Sequence, residues 1–295
     1  MEWFYKFPHL SDDNLRNLKK AIDDGFRGFT RGYGDAIEGL FSPLQQFLIA
    51  VDRFMTQTPW PIITIIILAI AWFASRSMKI VLSCLVTLLL IGFFDMWTDT
   101  MSTIAMIFVS TVLSIAIGLP TGILMARSDR VQRIIHPILD VMQTMPSFVY
   151  LIPVVMLLGI GRVPGLIAVV IYAIPPMIRL TDLGIRLVDK DVLEAADAFG
   201  VSRSQKLFKV QLPLALPTIM AGINQTIMMA LAMVVVASMI GVQGLGQPVL
   251  KAIANQYFTL GIFNGLAIVG IAIIFDRVSQ AYGKRLQKHR EVVHG

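Results

Sequence analysis

Residues 194–213 read EAADAFGVSRSQKLFKVQLP, a short polar stretch between long apolar runs. Asp191 and Glu194 stand at capping-box spacing, so Asp191 can accept a backbone N–H where a helix starts and Glu194 can reach back. Ala195, Ala196 and Ala198 are strong helix formers with small side chains. Phe199 is a bulky apolar residue at the far end, and Gly200 permits the left-handed conformation that ends a helix. Ser202 and Gln205 repeat the box logic for a second helix. Leu212-Pro213 closes the segment, and both Pro213 and Pro217 suit a helix start better than an interior. The stretch therefore predicts two short helices joined by a glycine elbow. Its alanine surface admits a close partner and Phe199 can fill a groove. No histidine, serine or second carboxylate is arranged around Glu194 as a catalytic site.

The rest of the chain sets the elbow in a membrane. The 295 residues are 56% hydrophobic and 15% charged, against about 25% charged in a soluble domain. Residues 61–74, 80–94, 102–126, 147–160, 163–178, 214–240 and 261–275 are nearly free of charge. A bilayer-crossing helix needs roughly 20 apolar residues, so several runs reach that length only with their flanks. These runs predict an all-α polytopic membrane protein with about seven transmembrane helices. Alternating strand patterns that would suggest a β-barrel are lacking. The single cysteine, Cys84, reads as a small residue inside an apolar helix. His9, His136, His289 and His294 share no ligand spacing, so no metal is expected. The N-terminus lacks a cleaved-signal pattern.

The basic residues give the orientation. Arg76 and Lys79 follow the first run, Arg127, Arg130 and Arg133 the third, Arg179 to Lys209 the fifth, and Arg277 to Arg290 the seventh. The alternate loops hold only Arg162 and Lys251. The basic side belongs in the cytoplasm, which places the C-terminus inside and the N-terminus outside. This explains the net charge of +6 without nucleic acid as a partner. In the 1–58 tail, residues 1–35 are polar. Ile37, Leu40, Phe41, Leu44, Phe47, Leu48, Val51, Phe54 and Met55 then recur at helical spacing despite Pro43. An interfacial amphipathic helix over 37–55 is expected. Gln45, Gln46, Asp52 and Arg53 argue against an eighth crossing. Residues 59–97 read as two added transmembrane helices, 98–283 as one compact core, and 284–295 as a basic cytoplasmic tail.

Glu194, Ala195, Ala196, Gly200, Val210, Leu212 and Pro213 together resemble the "EAA" signature of ABC-importer permease subunits, with Val210 where isoleucine is usual. In that family the segment is a coupling helix seated in a cleft of the ATPase subunit. The resemblance implies that 189–213 with Phe199 is the ATPase-coupling loop and that the fold is of the type I importer kind. Asp140 to Pro153, Ile174 to Arg179, Gly222 to Gln225 and Gly241 to Gly246 are similar to the glycine betaine/proline/choline branch. The implied partners are a dimer of ATPases, an extracytoplasmic substrate-binding protein, a second permease copy and the lipid bilayer. The chain ends at Gly295 in a basic tail, so that binding protein is expected as a separate chain. ATP and magnesium are expected on the ATPase and no cofactor on this chain, which is not expected to be an enzyme.

Other residues carry weaker signals. No phosphate-binding loop of the Gly-x-x-x-x-Gly-Lys-Ser/Thr kind is present. Asn224 and Gln225 sit within an apolar run, where amides bond neighbouring helices or line a solute path. Met145 and Tyr150 are further path candidates. No charge falls at the middle of a predicted span, which disfavours an ion-coupled secondary transporter. No cluster of Trp3, Trp60, Trp72, Trp97, Phe148, Tyr150 and Tyr172 forms an aromatic cage for a quaternary ammonium. Gly118 with Gly122, and Gly261 with Gly265, are small-xxx-small pairs. Pro120, Pro153, Pro175 and Pro176 are candidate kinks. A permease for another solute, such as an amino acid, remains the alternative.

Overall fold

Every apolar run is helical in the computed structural model, which describes residues 10–291, with side chains described outside 33–38, 40 and 286–291. The expectations for Trp3 and His9, and for the side chains of Ile37, Leu40 and His289, fall outside what is described, as does His294. The elements in order are α1 (Asp12–Gln57), α2 (Trp60–Ser75), α3 (Met78–Phe93), α4 (Trp97–Arg127), α5 (Asp129–Thr144) and, after a 3-10 turn over Ser147–Tyr150, α6 (Leu151–Leu158). Then come α7 (Arg162–Arg186), α8 (Lys190–Ala198) and α9 (Arg203–Gln205). A π-helical turn over Lys206–Gln211 joins α9 to α10 (Leu212–Ala237), followed by α11 (Gly246–Asn255) and α12 (Phe258–Glu291).

By length and composition, α4, α7, the continuous Arg203–Ile240 rod and Phe258–Arg285 can each cross a membrane. Two bent pairs add to these. Phe41–Gln57 meets α2 at 110°, and α5 meets Ser147–Leu158 at 111°. Three sequence expectations need amending. The polar 1–35 stretch is not separate from the amphipathic helix, because α1 begins at Asp12 and runs 46 residues through Pro43. The fifth run does not end at residue 178. It continues to Arg186, so Arg179 and Asp182 lie inside α7. The segments after Arg127 and Gly241 are not plain loops, since they fold as α5 and α11.

Side-chain pairs sort the helix ends into two faces. At the basic face, Arg186 of α7 reaches Asp129 of α5 and the Met125 carbonyl of α4. Arg285 of α12 donates to the Phe73 carbonyl of α2, also at that face. At the opposite face, the Leu245 amide donates to Thr103 of α4 at 2.9 Å, and Arg162 at the start of α7 pairs with Asp52 of α1 at 2.8 Å. The last turns of α1 therefore lie across the ends of the crossing helices opposite the basic face.

Lipid tails are as apolar as leucine, so helices in a bilayer gain by close approach rather than by burial alone. Gly118 and Gly122 supply that approach on α4. A Cβ on Gly118 would stand 2.8 Å from Met177 Cγ, and one on Gly122 would stand 2.7 Å from the Ile178 carbonyl oxygen and 2.5 Å from Thr181 Cβ. Gly184 and Gly222 serve the α7–α10 crossing in the same way. The second small-xxx-small pair does not make such a crossing. Only Gly261 nears a neighbour, Ala252 at 3.2 Å, and Gly265 faces open space. Gly122→Ala should destabilise the protein by about 1–3 kcal/mol through overpacking, whereas Gly265→Ala should leave it unchanged or slightly firmer. Thermal unfolding of the two variants in detergent checks the contrast, and equal losses would contradict the packing assignment.

Candidate functional site

The elbow forms from local chemistry. Asp189, not Asp191, caps α8: its carboxylate accepts the Asp191 amide at 2.9 Å. The expected cap is displaced by two residues, because Asp189 is the last residue with extended backbone before the helix. Gly200 ends α8 at φ +72°, and its amide donates to the Asp197 carbonyl at 2.9 Å while Val201 donates to Ala196 at 3.3 Å. That pair of bonds is a Schellman motif, which needs a left-handed residue at this position. Ser202 and Gln205 then form a reciprocal capping box. Lys206 Nζ binds both carboxylate oxygens of Asp197, at 2.6 and 2.8 Å, and braces the two arms.

The elbow has an inner and an outer side. Ala196 is buried, and so is Leu207, which packs with Met177, Ile185, Ala215 and Ile219. Glu194 and Ala195 face outward, while Leu212 and Pro213 are half-buried at the start of α10. Phe199 is 88% exposed and Phe208 62%. Two phenylalanines are thus held outward on a capped, braced turn. The π turn carries Phe208 and leads into α10, and the Leu212 amide reaches back five residues to the Leu207 carbonyl. Pro213 brings no N–H to the ladder, so the widened turn falls where the helix is already short of a donor.

An ion network anchors the elbow to the core. Arg186 Nε donates to Asp182 at 2.9 Å, Nη1 to Asp129 at 2.8 Å and Nη2 to the Met125 carbonyl at 2.8 Å. Gln132 Nε2 donates to the other Asp182 oxygen at 2.7 Å. Asp182 is 4% exposed. One guanidinium thus gathers the ends of α4, α5 and α7 three residues before the elbow begins. Arg179 pairs with Asp140 of α5 beside it. On the opposite face, Arg162 also donates to Gln243, which ties α1, α7 and the turn before α11. Sequence reasoning missed these networks because most partners lie 39 to 110 residues apart. The Asp182/Arg186 pair at i,i+4 was the one readable signal.

The path candidates are not brought together into one cluster by direct bonds. Asn224 Nδ2 donates to Asp276 of α12 at 3.1 Å. Asp276 lies just past the last apolar run and still within α12, away from the middle of that helix. Gln225 is exposed beside Asn224. Tyr150 is buried, with its hydroxyl donating to the Met142 carbonyl and its ring edge against Tyr172 at 5.9 Å. Met145 packs against the same core.

With this geometry in place, comparison with known proteins is informative. Residues 118–288 match the family model described as "Binding-protein-dependent transport system inner membrane component". The chain belongs to this family. It is 46% identical to the glycine betaine/proline betaine transport system permease protein ProW of Escherichia coli, over 90% of this chain and 75% of that one. It is 44% identical to the glycine betaine transport system permease protein OpuAB of Bacillus subtilis, over 89% and 93%. It is 45% identical to the glycine betaine/carnitine transport permease protein GbuB of Listeria monocytogenes, over 94% and 98%. A chain of the inward-facing MetNI methionine ABC transporter shares the fold with a TM-score of 0.58 and 22% identity, covering 63% of this chain and 93% of that one. The permease is thus a multi-pass inner-membrane protein with a type I importer fold.

Two predictions follow from the elbow and its anchor. A Cβ at Gly200 would meet nothing within 4 Å, so only its left-handed backbone is at stake. Gly200→Val should cost about 1–2 kcal/mol locally and abolish transport while membrane levels hold, whereas Gly200→Asn should retain most activity; equal behaviour would contradict the elbow geometry. Arg186→Met leaves the buried Asp182 carboxylate without its cation and should cost on the order of 3 kcal/mol. Lys206→Met, which breaks an exposed pair, should cost under about 1 kcal/mol. Denaturation of the purified variants measures both.

Proposed function

We propose that this permease is the path-forming subunit of an ATP-driven importer of compatible solutes of the glycine betaine type. The observation that carries the reading is the elbow: a rigid, outward-facing apolar turn anchored by Arg186 to three helix ends. No phosphate-binding loop occurs in the sequence, so ATP and its magnesium would be held by a partner. Glu194, Ala195, Ala196, Phe199, Gly200, Leu212 and Pro213 would seat in a dimer of ATPase subunits. The solute class rests on relatives 44–46% identical whose names specify glycine betaine transport.

In this reading the basic face is cytoplasmic, the C-terminus lies inside and the N-terminus outside. The last turns of α1 lie along the outer interface, α2 and α3 are additions, and residues 98–283 form the transport core. An external binding protein delivers the solute. A second copy completes the path, and an outward apolar stripe on α5, formed by Ile134, Ile138 and Val141, supplies a face for it. Gln225, exposed on α10, fits the path lining better than Asn224 or Tyr150, whose polar groups already have partners; Met145 lies at the path's α5–α6 bend.

The test is uptake in proteoliposomes holding the permease, its ATPase and its binding protein. Glycine betaine should enter only with ATP supplied on the ATPase side, and competing amino acids should not displace it. Uptake driven by an ion gradient without the ATPase would overturn the reading. Preferential uptake of an amino acid would overturn the solute class alone.

A further inference from the structure

The structure contains a cavity of about 340 Å³ between the added helices and the core. Its walls include Ile67 of α2, Leu88 of α3, Phe108 of α4, and Ile271 and Phe275 of α12, with Met55 of α1. Every lining side chain is apolar. Water in a protein cavity needs two to four polar partners, and this wall offers none. Ile271 and Leu88 are 1% exposed, so the back of the cavity is sealed. The seal comes from a close crossing of α3 and α12: a Cβ on Gly270 would stand 2.7 Å from Thr87 Cγ2. Ile70 and Phe108, 58% and 46% exposed, mark its open side. That side faces outward from helices that cross the bilayer, so the surrounding medium at this depth is hydrocarbon.

The ends of the cavity differ. Towards α1 it is bounded by Met55. Towards the basic face its wall includes Ile70, and Phe73, one turn further along α2, carries two cations. Arg285 Nη1 donates to the Phe73 carbonyl at 2.7 Å, and the Arg76 guanidinium lies 5.6 Å from the centre of the Phe73 ring. An apolar slot at hydrocarbon depth, open to lipid and with two arginines beyond its basic end, suits the acyl chain and headgroup of a phospholipid. We propose that one acyl chain of a membrane phospholipid fills this cavity and that its phosphate is held by Arg285 and Arg76. The lipid would wedge α2 and α3 against α4 and α12, filling space that no side chain of this chain occupies.

The experiment uses the permease in nanodiscs containing phosphatidylglycerol with a diazirine in mid-chain. After photolysis, labelled peptides are mapped by mass spectrometry. Labelling should concentrate on α2 and α12 residues of the cavity, several-fold above the lipid-facing Leu82, Val86 and Leu90 of α3. Ile67→Trp, which fills the slot, should remove the excess, with Leu88→Phe as the second variant should the first not fold. Arg285→Gln with Arg76→Gln should lower it by weakening the hold on the phosphate. Even labelling along all lipid-facing helices would overturn the proposal. So would an excess that survives filling of the cavity. An excess indifferent to the arginines would overturn the headgroup assignment.

Discussion

The α4–α7 crossing decides where everything on the basic face stands. Gly122 lets the α7 backbone come so near that a methyl group would collide with the Ile178 carbonyl and Thr181. With α7 held at that distance, its final turn brings Asp182 and Arg186 against the end of α4 and the start of α5. The buried carboxylate would be costly alone. It is tolerated because one arginine and Gln132 satisfy both of its oxygens. Close packing therefore comes first, and the ion network is possible only because of it.

That network gives the elbow a fixed base. Four residues beyond Arg186 the chain starts α8, turns at Gly200 and returns through α9. Every bond that shapes the turn is local: one carboxylate cap, a Schellman pair, a capping box and a lysine brace. The turn is thus stiff within itself and stiffly held on its α7 side. On its α10 side it meets the π turn, an irregular step early in the Arg203–Ile240 rod. A π segment inside a helix commonly marks a functional site. In the proposed function, a push on Phe199 would reach α4, α5 and α7 as one body, and any change of helix angle would be taken up ahead of Pro213.

Much of this was legible in the chain itself. The seven apolar runs all fold as helices, but by length and composition only four crossings, or six counting the two bent pairs, stand among the described residues, and α3 falls short. Gly200, Ser202 and Gln205 gave the elbow, because caps act over three or four residues. Gly118 and Gly122 showed as a packing pair, but Gly261 and Gly265 looked the same and are not one; only tertiary contact separates them. The end of α7 was misjudged because a charged residue ends an apolar run in sequence, whereas Asp182 and Arg186 remain inside the fold with partners from α4 and α5. Likewise Asp276 lay just past the last apolar run, and nothing in its own neighbourhood showed that Asn224 would meet it. Pairings over such separations are set by topology, not by spacing.

The central claim is that the elbow and the basic ends of α4, α5 and α7 move as one unit under ATP. Its most direct test places spin labels at Ala198 and Arg130 in a Cys84→Ser background of the assembled transporter. Distances are then read by pulsed electron resonance with and without ATP. The account predicts an unchanged Ala198–Arg130 distance within each protomer and a shortened Ala198–Ala198 distance between the two copies. A changed distance within the protomer, with the distance between copies fixed, would contradict it.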